Sequence, residues 1–76
     1  MYGKKLYVVV TFETTSQAIH FEQSCTVKGR LIPLPSTISA GCGLAWRSDV
    51  TYKAELLDEI KEKQFIYKSI VEIMMR

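Results

Sequence analysis

Leu6-Tyr7-Val8-Val9-Val10-Thr11-Phe12 is apolar at both parities. That is the pattern of a central strand covered on both faces, or on one face with a partner on the other. Thr14 or Thr15 then supplies an N-cap for a helix from about Ser16, with Ala18, Phe21 and Cys25 on one face and Ile19 and Glu22 beside it. Thr26-Val27-Lys28-Gly29 ends this short helix. In Arg30-Leu31-Ile32-Pro33-Leu34-Pro35 the two prolines remove N–H donors on one side only, which predicts an edge strand paired through Ile32 and Leu34. Ser36 to Gly41 reads as a small-residue loop and Cys42 to Arg47 as the next strand. Ser48 or Asp49 caps a second helix over Val50 to Lys63. Its apolar stripe is Val50, Leu57 and Ile60, flanked by Ala54 and Leu56. Asp58, Glu59, Lys61 and Glu62 fall on its solvated face. Ile66 to Met74 is the last strand.

The order β-α-β-β-α-β predicts an α+β, ferredoxin-like sandwich: a four-stranded antiparallel sheet with two helices on one face. The first and third strands are expected inside and the second and fourth at the edges. A single domain over 1–76, with its core at about 6–74, accounts for the whole pattern. The other face of such a sheet invites cover, so a homodimer or a partner protein is expected there. The turn between the second and third strands lies at the same end as the start of the first helix. Cys42 and the Thr14-Thr15-Ser16 segment are therefore expected to be neighbours.

Composition changes this picture little. The 76 residues are 47% hydrophobic and 24% charged, as in an ordinary globular domain, and so short a chain gains from association. The net charge of +2 comes from scattered basic residues and points away from nucleic acid. Lys4 and Lys5 precede an apolar run too short for an export signal, and nothing approaches a membrane span. The expected location is the cytoplasm, where the two cysteines would be free thiols.

Candidate chemistry converges on Ser39-Ala40-Gly41-Cys42-Gly43-Leu44-Ala45-Trp46. Glycine on each side of Cys42 removes side chains that would shield the sulfur, and frees the backbone for positive φ or for close approach of another molecule. A helix N-terminus nearby would lower the pKa of the thiol, and hydroxyls of Thr14, Thr15 and Ser39 could hydrogen-bond a sulfur or larger chalcogen anion. Cys25 reads as a small core-facing residue at the other end of the sheet, too distant for a disulfide. His20 has no companion ligand or base, so neither a metal nor a cofactor is expected. Trp46 reads as core or interface.

From about Tyr7 to Ile73 the chain resembles the small bacterial selenium/sulfur carrier protein-like family. The resemblance rests on Tyr7-Val8-Val9-Val10-Thr11-Phe12 with Thr14-Thr15, on Arg30 to Pro35, and above all on Ile38-Ser39-Ala40-Gly41-Cys42-Gly43-Leu44-Ala45-Trp46-Arg47. It implies that Cys42 carries sulfur or selenium as a persulfide or selenide-type species, with Ser39, Gly41, Gly43 and Ala45 as its surroundings. A donor such as a cysteine desulfurase would load it, and an acceptor protein would unload it. No second catalytic residue is evident, so a carrier is expected rather than a stand-alone enzyme. Two other classes fit the residues: a small regulatory or interaction module in which Cys42 is incidental, and a redox-sensing thiol that oxidises instead of carrying cargo.

Overall fold

The apolar first run forms β1 (Lys5–Thr11) in the computed structural model, which describes residues 3–38 and 41–75. Val8, Val9, Val10 and Thr11 on both faces of the strand, and Phe12 just after it, are fully buried. β1 is followed by α1 (Thr15–Ser24), β2 (Arg30–Pro33), β3 (Leu44–Asp49), a 3₁₀ turn at Val50–Tyr52, α2 (Lys53–Lys63) and β4 (Ser69–Met75). The sheet order is β2-β3-β1-β4 with every pairing antiparallel. This is the α+β, ferredoxin-like arrangement, with β1 and β3 inside and the proline strand at an edge.

Alternation sorts the strands into two faces. Val8, Val10 and Phe12 point with Trp46 toward the helices, where Ala18 and Phe21 of α1, Leu56 and Ile60 of α2, and Phe65 complete the core. Phe21 is its centre, with ring centroids 5.4 Å from Phe12, 5.0 Å from Trp46 and 4.6 Å from Phe65. Tilted and edge-on rings at these separations each add about 0.5–1.5 kcal/mol beyond area burial. Trp46 lies so close beneath Gly29 that a Cβ there would collide with the indole ring and with the Arg47 carbonyl. Gly29 is therefore fixed by packing as well as by its turn.

Several boundaries differ from the sequence reading. β2 stops at Pro33, although the Leu34 N–H still donates to the Gly43 carbonyl at 2.9 Å on the paired side. Pro35 lies beyond the strand and its carbonyl accepts from Ile38 N–H. β3 starts at Leu44, two residues after Cys42, and extends through Ser48 and Asp49. The extension holds because Ser48 turns inward and donates its hydroxyl to the Lys28 carbonyl, while Asp49 pairs opposite Tyr7. Asp49 also caps the 3₁₀ turn by accepting from Thr51 N–H at 3.0 Å. Hydrogen bonding from Lys5 and from Thr51 holds its carboxyl at about 2. The last strand begins at Ser69, not Ile66: Ile66 is 66% exposed in the linker before it.

The inward face of α2 is also rotated from the expected one. Leu56, Glu59 and Ile60 are buried, while Leu57 is 42% exposed. Glu59 faces the end of α1, where its carboxylate accepts from Thr26 N–H at 2.7 Å and Thr26 Oγ1 at 2.6 Å and pairs with Lys63 at 2.9 Å. A charge read as solvated is thus a buried tie between the helices. α2 ends on Gln64 at φ 55°, in the left-handed region, with Phe65 N–H donating back to the Ile60 carbonyl at 3.2 Å. Ile60 and Phe65 both enter the core, so the helix stop also seats two core residues.

Candidate functional site

Cys42 sits in the connection between β2 and β3, two residues before β3 begins. Its parity matches Leu44 and Trp46, so its side chain turns toward the helix side and packs against the core cluster. The thiol is half-buried and donates to the Leu44 carbonyl oxygen at 3.3 Å. The sulfur is therefore not bare, as its glycine neighbours suggested. Removing flanking side chains does not expose a sulfur that packs against the core. Both Cys42 and Cys25 are free.

The two glycines do different things, and neither takes positive φ. A Cβ on Gly41 would lie 2.5 Å from the Glu13 carbonyl oxygen and 2.9 Å from Glu13 Oε1. Gly41 thus lets the thiol-bearing loop lie directly on the β1–α1 turn. A Cβ on Gly43 would meet nothing within 4 Å. The close approach at Gly41 brings the Cys42 loop beside the start of α1.

The β1–α1 turn is itself well fixed. Thr14 is the N-cap, its hydroxyl accepting from Gln17 N–H at 3.2 Å. Gln17 Oε1 in return accepts from Glu13 N–H at 3.0 Å. This is a reciprocal cap that reaches one residue further back than the usual box. Glu13 is also held by Lys68, 3.4 Å from its carboxylate, and Lys68 N–H donates to the Thr11 carbonyl at 2.7 Å. Thr15 is exposed in the first turn of α1. Ser39 and Ala40 lie outside the described residues. Sequence reasoning missed Glu13, Gln17 and Lys68 as the support beneath the loop. The Thr14-x-x-Gln17 spacing was a legible sign of the cap, whereas the Glu13–Lys68 pair joins distant segments and has no local signature.

Cys25 closes α1, its N–H donating to the Phe21 carbonyl at 2.8 Å. Burial pushes its thiol up from the ordinary value, with the Glu59 carboxylate adding to the rise and the Val27 backbone opposing it. It packs against the core, as a small core-facing residue does. His20 is exposed and stands edge-on to Phe65 with centroids 5.7 Å apart. With Ser16, Gln17, Gln64, Phe65 and Ile66 it lines an open cleft of about 250 Å³ between the start of α1 and the end of α2. Cys42 is not among the lining residues. Among the described residues no three His, Cys, Asp or Glu side chains gather as a metal set, and no helix is long and apolar enough to cross a membrane.

Fold and site together define a small α+β protein with a free thiol on the hairpin loop of a ferredoxin-like sheet. The family model described as "Putative Se/S carrier protein-like" matches residues 7–72, and the chain belongs to that family. No curated protein and no solved structure matches the chain.

Proposed function

We propose that the protein is a thiol-based carrier in which Cys42 accepts a sulfur or selenium atom from one protein and yields it to another. The observation that carries this reading is the family match over 7–72, which spans the Gly41-Cys42-Gly43 segment. The free state of Cys42 and the fixed support under its loop are consistent with it.

In the sulfur case, the Cys42 thiolate attacks the terminal sulfur of a donor persulfide. A new S–S bond forms on Cys42, the donor's S–S bond breaks, and the donor cysteine leaves as thiolate. No net oxidation occurs. Delivery repeats the step in reverse, an acceptor nucleophile attacking the terminal atom and Cys42 leaving as thiolate. Cys42 is the one residue that this scheme requires to react. The cytoplasm, where such cargo survives on free thiols, is the setting this chemistry favours.

The test is intact mass after incubation with a cysteine desulfurase and cysteine, and separately with the same enzyme and selenocysteine, which present the atom at the persulfide oxidation level, on wild type and Cys42→Ser. One added chalcogen atom on wild type alone is the expected result. An adduct that forms only with peroxide or oxidised glutathione would reassign the thiol to redox sensing. No adduct with any donor would remove the carrier reading.

A further inference from the structure

The face of the sheet away from the helices carries a charge arrangement that no carboxylate among the described residues answers. Arg30 on β2 stands directly opposite Arg47 on β3. Like charges in that position repel across roughly 4.5–5.5 Å between Cβ atoms. Neither guanidinium has a carboxylate partner among the described residues. Arg47 is held in place by stacking on Tyr7, 4.4 Å from the ring centroid. The next residues along this row are Val9 and Val71. Half-buried Ile32, Val71 and Ile73 flank the arginines on the same face. Of the eight Asp and Glu side chains, only Asp49 is carried on this face, and Lys5 already pairs with it at 2.7 Å.

We propose that this helix-free face docks a partner protein that presents carboxylates ringed by apolar side chains. Charge complementarity selects that occupant. A second copy meeting face to face would bring two more arginines and, among the described residues, no free acid. A second copy could offer its acidic helical side only head-to-tail, a heterologous contact that builds rings or filaments and not a two-fold dimer. Nucleic acid would meet a mostly aliphatic surface with one aromatic ring, where stacking platforms are expected. Two adjacent arginines, Arg47 held by the Tyr7 ring and Arg30 exposed at the edge, beside apolar ground are instead the composition of a protein interface centre. The proposal does not depend on the role of Cys42.

The charge-reversed form of the protein is a defined probe, because Arg30→Glu with Arg47→Glu places carboxylates inside the same apolar ring. Sedimentation velocity is run on wild type, on this variant, and on their equimolar mixture. Each alone is expected to be monomeric and the mixture to form a heterodimer that weakens with salt. Arg30→Gln with Arg47→Gln on the wild-type side is expected to weaken it about tenfold or more. If circular dichroism shows the double Glu variant unfolded, Arg30→Glu alone, at an exposed edge position, serves as the probe. A mixture that stays monomeric overturns the proposal. So does self-association of the wild type, or an oligouridylate that perturbs the amide resonances of this face in the wild type.

Discussion

A methyl group added at Gly41 would meet the Glu13 carbonyl oxygen at 2.5 Å, whereas one added at Gly43 would meet open space. Gly41→Ala therefore lifts the thiol-bearing loop off the β1–α1 turn or strains both. It is expected to destabilise by about 1–3 kcal/mol in urea unfolding, the usual cost of overpacking. Gly43→Ala should stay within about 0.5 kcal/mol of wild type, since neither contact nor positive φ opposes it. Equal losses at the two positions would contradict the packing argued for Gly41. The thiols differ as well. Burial raises the Cys25 thiol above its ordinary value and places it against the core at the end of α1. Cys42 lies on a loop whose neighbours on both sides lack side chains.

At the scale of elements, α2 is tied to the end of α1 through Glu59. Burial alone would raise this carboxyl, but hydrogen bonds from Thr26 and Lys63 outweigh it and hold the group below its ordinary value near 4.5. A carboxylate lowered on folding stabilises fully above that ordinary value, and the contribution fades as pH falls through the folded-state value. Glu59→Gln is expected to cost about 1–2 kcal/mol at neutral pH, because charge-assisted hydrogen bonds become ordinary ones. Its deficit against wild type should shrink in acid. A deficit independent of pH would mean that the carboxylate is not the tie. The end of α2 gives a prediction of opposite sign. Gln64 occupies the left-handed region at φ 55°, so Gln64→Gly should raise stability by about 0.5–1 kcal/mol in the same unfolding measurement. A loss would mean that the Gln64 side chain makes a contribution larger than its backbone strain.

Over the whole molecule, the fold was largely legible because its strongest signals are local. A strand apolar at both parities must be central, and prolines two apart must lie at an edge. These two constraints already orient the sheet. Harder to read was anything decided between elements. Glu59 has the spacing of a solvated helix residue, and only the approach of Thr26 makes it buried. Cys42 looks unshielded from its neighbours in sequence, and only its packing against the core cluster in the folded chain shows that it is covered. Gly41 and Gly43 are indistinguishable until Glu13 is placed against one of them. The thiol itself could be singled out, because a cysteine between glycines stands apart from the apolar periodicity around it. Its support by Glu13, Gln17 and Lys68 could not, apart from the cap spacing.

The same distinction between the two cysteines sets the most direct measurement. Wild-type protein is given a limiting amount of persulfide donor from a cysteine desulfurase, trapped by alkylation, and digested for peptide mass mapping. The account expects the added sulfur on the peptide containing Cys42, with Cys25 recovered unmodified. Sulfur on Cys25, or shared evenly between the two, would contradict it.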